Sequence, residues 1–146
     1  MKIYTSYFGV AKKLPPDIIK ISIAGRSPDG WKDLEFKELA PKWSFFKVWQ
    51  QTKDNDYYIK CYYEQVLSRL DPHGIEKELK LAYLSISYLD ERNRLNRRVH
   101  SLEQTQYTPN SDVCLMCYEK PDAFCHRHLV ADWLNAAGIE CKEYIF

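Results

Sequence analysis

The stretch Val113-Cys114-Leu115-Met116-Cys117-Tyr118 is a short apolar run that ends in the charged turn Glu119-Lys120-Pro121-Asp122. Cys125-His126-Arg127 then opens an amphipathic stretch reaching Ala137, with Gly138 where a helix commonly stops. A run this short and this uniformly apolar reads as a strand covered on both faces, as strands of parallel sheets are. Ile18 to Ala24, Ile-Ile-Lys-Ile-Ser-Ile-Ala, is a second such run, and Gly25 ends it. Two buried strands separated by a long helical tract restrict the chain to a layered α/β architecture. The expected fold is a small Rossmann-like domain, with a mainly parallel sheet flanked by helices.

The remaining segments fill in that frame. Lys2 to Phe8 reads as a first strand, too near the second for a helical crossover between them. Arg26-Ser27-Pro28-Asp29-Gly30-Trp31 reads as a loop. Short helices are expected between Leu34 and Gln51, broken at Pro41. Tyr58, Cys61, Tyr62, Gln65, Val66 and Arg69 recur in helical steps, and Asp71-Pro72-His73-Gly74 punctuates the pattern. Tyr58, Tyr62 and Tyr63 read as packing residues. A further helical tract starts near Ile75, and Ile139 to Phe146 reads as a last strand. The expected organisation is one α/β domain over 1–146, with 84–110 a helical insertion that presents a basic face.

Composition narrows the function classes. A net charge of +1 gives no global attraction to nucleic acid or to an anionic membrane. No apolar stretch is long enough to span a bilayer, and the opening residues lack the pattern of a secretory leader. Five cysteines are an odd number for a disulfide frame. The expected setting is therefore the cytoplasm, with reduced thiols and no membrane partner.

The Glu-Lys turn and the Cys-His-Arg triplet, at the handover from a strand to a helix, are the leading site candidates. Open α/β sheets bind ligands beyond the carboxyl ends of their strands, and a helix N-terminus attracts anions. Cys125 at that terminus is expected to be an activated thiol. His126 would carry a proton, and Glu119 would orient it or act as a base. Arg127 and Arg26 would clamp an anion, with Lys120, Ser6 and Tyr7 as further ligand contacts. If the helix turn is regular, neighbouring residues point about 100° apart, so a joint site must straddle the junction. The competing reading makes the triplet a brace, with Cys125 packed inward and Arg127 paired to Glu119. The thiol lacks the glycine-bearing loop and the arginine spacing of a cysteine phosphatase.

The chain resembles the bacterial domain-of-unknown-function family 488. The likeness rests on Leu115-Met116-Cys117-Tyr118-Glu119-Lys120 followed by Cys125-His126-Arg127. Thr5-Ser6-Tyr7-Phe8, Ile21-Ser22-Ile23 with Gly25-Arg26 and Pro28, Leu39-Ala40-Pro41, and Tyr62 through Leu70 also match. The resemblance implies a compact α/β domain and names no reaction. The tract 84–110 is longer than the family usually has.

Two functional readings follow. The first is binding, with or without processing, of an anionic nucleotide- or nucleoside-like small molecule at the Cys-His-Arg junction. The second is a non-catalytic domain that contacts nucleic acid or protein through a basic helix over 90–104, where Arg92, Arg94, Arg97, Arg98 and His100 cluster. No cofactor is expected. No metal ligands are assigned, although Cys114-x2-Cys117 with Cys125-x2-His128 has the form of a zinc set. A three-residue step along a strand sends Cys114 and Cys117 to opposite faces, which weighs against that set and leaves it open.

Overall fold

The computed structural model describes residues 1–84 and 107–146, together with the strand Leu95–Arg97. Five strands run parallel: β1 (Ile3–Tyr7), β2 (Ile19–Ser22), β3 (Leu34–Phe36), β5 (Val113–Cys117) and β6 (Cys141–Glu143). β4 (Leu95–Arg97) adds to the edge antiparallel to β3. The spatial order is β4-β3-β2-β5-β1-β6. The helices are α1 (Trp43–Thr52), α2 (Asn55–Gln65), α3 (Pro72–Lys80) and α4 (His126–Ala136). The Rossmann-like α/β reading of the sequence is the observed fold.

β5 lies at the centre of this order, and all five of its residues are buried. Its alternating side chains divide the interior. Val113 and Leu115 join the larger core, built with Ile19, Ile21, Phe45, Tyr62, Ile75, Leu79, Val130 and Leu134, so each of α1, α2, α3 and α4 contributes to this core. Cys114 and Met116 face a smaller core of Leu14, Ile18 and Trp31. The 3-10 turn Phe8–Lys13 supplies Phe8 and Ala11 to that second side. β1 and β2 are not neighbours; β5 inserts between them, which removes the need for a tight crossover.

Local sequence sets the helix ends. Asp54 caps α2 by accepting from the Tyr57 amide, and Asp71 caps α3 by accepting from the Gly74 amide at 2.8 Å. Pro72 occupies the first turn of α3, where its missing N–H costs nothing. The Asp-Pro-His-Gly sequence is thus the start of a helix as well as the end of the preceding one. Gly138 leaves α4 at φ +81°, the left-handed geometry that glycine adopts freely.

Two expectations are corrected. Leu34–Phe36 is a strand rather than helix, because three residues pairing with β2 are too few to impose a period on the sequence. Leu95–Arg97 also pair as a strand, so 90–104 is not one continuous basic helix. The rest of that basic tract, and most of the 84–110 insertion, lie outside the described residues.

Candidate functional site

β2 and β5 are adjacent, and their carboxyl ends meet the first turn of α4. Cys125 is the residue before α4 and is extended, at φ −154° and ψ 142°. The backbone changes direction between it and helical His126, so two consecutive side chains converge. Together with Cys117 at the end of β5, their ligand atoms all lie within 4.8 Å of one another. All three residues are buried.

Hydrogen bonds fix the imidazole. Its Nε2 lies 2.7 Å from the Ile23 carbonyl oxygen. A carbonyl only accepts, so Nε2 carries a proton and donates it. Nδ1 is then turned to the Cys117 Sγ at 3.5 Å. The Nε2 bond ties α4 to Ile23, just past the end of β2, and the Ile23 amide in turn donates to the Met116 carbonyl of β5 at 3.0 Å.

The two thiols are shifted in opposite directions. The hydrogen bond between the two thiols pushes Cys125 up to about 12, and burial adds to the rise. The same bond pulls Cys117 down despite burial, with the Tyr118 and Glu119 amides and the Arg127 charge assisting. The helix terminus at Cys125 is outweighed by its neighbour and by desolvation.

Arg127 is not an anion clamp. Its side chain is fully enclosed, and Nε and Nη2 donate to Glu143 Oε2 and Oε1 at 3.2 and 3.0 Å. Nη1 donates to the Glu119 backbone carbonyl at 2.6 Å. Burial works against its charge, but the hydrogen bonds and charge of Glu143 leave its pKa raised. Thr5 Oγ1 completes the arrangement by donating to Glu143 Oε2 at 2.6 Å. Arg127 is thus paired with Glu143 of β6 rather than with the Glu119 carboxylate, and only the main chain of Glu119 takes part.

Above the thiols and imidazole opens a cavity of about 820 Å³. Trp43, Phe46, Trp49, Tyr58 and Phe124 form its wall, with Cys117, Cys125 and His126 at its base. The rings contact one another: Trp49 and Phe124 centroids are 5.6 Å apart, and Tyr58 and Phe124 are 5.0 Å apart and edge-on. Trp49 is held by its indole N–H, which donates to Asn55 Oδ1 at 2.8 Å. Trp43 stands at the mouth, 66% exposed.

The other predicted residues divide. Arg26 and Glu119 line the cavity, and Arg26 is an exposed side chain 3.8 Å from Asp29. Its loop is anchored beneath by Ser27, whose hydroxyl lies 2.7 Å from Ser22 Oγ and 2.6 Å from Glu35 Oε2. Lys37 also donates to the Gly25 carbonyl at 2.9 Å. Lys120 is exposed on the turn and does not line the cavity. Ser6 and Tyr7 do not reach it either. Ser6 is buried in register with Met116, whose side chain belongs to the second core. The proposed zinc set is also split, since Cys114 packs in that second core and His128 Nδ1 faces Glu143 at 4.0 Å.

Sequence reasoning missed Glu143 and the ring wall. Trp43, Phe46 and Trp49 recur at steps of three, a spacing that gathers rings along one side of a helix and was a usable signal. Glu143 had none, because only strand pairing brings β6 beside β1.

Among the described residues no helix is long and apolar enough to cross a membrane. No curated protein and no solved structure matches the chain. The family described as DUF488-N3a, the active DUF488-N3 subclade, matches residues 5–138. That span takes in the end of β1, the ring wall, the thiol pair and all of α4, and the chain belongs to the DUF488 family.

Proposed function

We propose that this protein binds a small molecule with a flat ring, of nucleoside or nucleotide kind, and presents it to the Cys117–Cys125–His126 base of the cavity. The observation that carries this reading is the aromatic wall closing onto two thiols and an imidazole. The volume falls within the range of about 300–1,000 Å³ common for small-molecule sites. Rings stack on rings whatever the base, so such a wall favours a planar ligand class over a sugar or an aliphatic acid. Arg26 at the rim is the group that would meet a phosphate, and Arg127, committed to Glu143, is not. The description of the subclade as active agrees with a site that presents reactive groups.

Tryptophan emission tests this directly, because Trp43 and Trp49 both line the cavity. Adenosine, uridine and their 5′-monophosphates are titrated against ribose 5-phosphate, which has the anion and no base. Saturable emission changes with the ring-bearing compounds and none with the sugar phosphate are expected. Equal responses to both, or none to any base, contradict the proposal.

A further inference from the structure

We propose that Cys117, Cys125 and His126 form a site for a thiophilic divalent metal ion, zinc(II) by the chemistry of the donors, with its fourth position open to the aromatic cavity. The set differs from the one that cysteine spacing suggests, since it takes two adjacent residues of the α4 junction and leaves out Cys114 and His128.

Geometry carries the proposal. Tetrahedral zinc, with bonds of about 2.3 Å to sulfur and about 2.0–2.1 Å to nitrogen, separates those two atoms by about 3.5 Å. Cys117 Sγ and His126 Nδ1 are 3.5 Å apart. All three donor atoms lie within 4.8 Å of one another, as the corners of one coordination shell must.

The imidazole is also prepared as a ligand. Metal-binding histidines commonly donate their second ring N–H to a carbonyl or carboxylate, which fixes both tautomer and ring plane. Here Nε2 donates to the Ile23 carbonyl, which leaves the Nδ1 lone pair turned to the thiols. The donors sit at the end of a strand and at the start of a helix, elements that hold geometry better than a loop.

Charge and access complete the case. Two thiolates and one divalent cation sum to zero, so a loaded site adds no net charge beside the enclosed Arg127–Glu143 pair. All three residues line the cavity, so the side not taken by protein faces the ligand space. Three protein ligands and one open position are the pattern of a working zinc site rather than a closed structural one. A metal here would hold water or a heteroatom of a bound ring.

The alternative is that the trio is only a hydrogen-bonded cluster, and cobalt(II) distinguishes the two. Protein stripped by chelator under reducing conditions is titrated with cobalt(II) and followed by absorption. Saturation at about one cobalt per chain is expected, with a thiolate-to-cobalt charge-transfer band, intense tetrahedral bands, and loss of both when zinc is added. Cys117→Ser and Cys125→Ser each diminish the charge-transfer band, and Cys114→Ser leaves it unchanged. A weak spectrum without charge transfer in the unmodified protein overturns the proposal, even if a variant fails to fold. So does a full-strength band in either Cys117→Ser or Cys125→Ser. No ring compound is present in this experiment, so its failure leaves the proposed ring binding standing, and the converse also holds.

Discussion

Arg127 and Glu143 form a two-pronged ion pair, Nη2 to Oε1 at 3.0 Å and Nε to Oε2 at 3.2 Å, that joins the first turn of α4 to the last strand. The arginine side chain is wholly enclosed and the glutamate is 25% exposed. Removing one partner from such a pair strands a buried charge and costs about 3–5 kcal/mol. Arg127→Ala is therefore expected to lower the free energy of unfolding by about that amount in a urea titration. The double variant Arg127→Met with Glu143→Leu recovers most of the loss, since apolar groups of similar volume can replace such a pair. A folded Arg127→Ala protein of unchanged stability would show that the pair is not a brace.

Arg26 is expected to behave in the opposite way. Its side chain is exposed at the cavity rim, so Arg26→Ala changes stability by less than about 0.5 kcal/mol. It weakens binding of a nucleoside 5′-monophosphate several-fold and leaves the parent nucleoside unaffected. Calorimetric titration of both compounds against both proteins checks this, and equal losses for the two compounds would remove Arg26 from phosphate contact.

The ring wall sets a magnitude. Stacking of a base on an aromatic side chain is worth about 1–3 kcal/mol, or roughly 5- to 150-fold in affinity. Trp49→Leu and Phe124→Leu each remove one ring from the wall, and each is expected to weaken nucleoside binding within that range. Trp31→Phe, in the core on the other side of the sheet, is expected to leave binding unchanged.

The Ile23 carbonyl makes His126 a structural as well as a site residue. His126→Ala leaves that buried acceptor without its donor, at a cost of about 1–3 kcal/mol in unfolding free energy. His126→Gln keeps an N–H donor and is expected to lose less. Equal losses for the two would mean that the hydrogen bond contributes little.

The sequence was most legible where a feature is local. The strand Val113–Cys117 announces itself by an unbroken apolar run, and α4 by its amphipathic spacing and by Gly138 at its end. The convergence at the α4 junction could be read because Cys125 and His126 are adjacent and lie next to the end of a strand. Leu34–Phe36 could not, because three residues carry no period and their strand character comes from pairing with β2. The opposite shifts of the two thiols were hidden for a similar reason. A helix N-terminus lowers the pKa of a cysteine placed there, but at Cys125 the hydrogen bond with Cys117 and burial push it up instead. Arg127 reads as a ligand clamp until β6, sixteen residues on, brings Glu143 to its guanidinium.

In the proposed function the ring wall and the thiol–imidazole base serve one ligand. The most direct measurement is residue-resolved alkylation by iodoacetamide, read by mass spectrometry, with and without a saturating nucleoside and with chelator present in both. Occupation of the cavity is expected to slow modification of Cys117 and Cys125, which line it, and to leave the rate at Cys61, which does not, unchanged. A nucleoside that saturates the protein while both cavity thiols react at their original rates would show that it binds elsewhere.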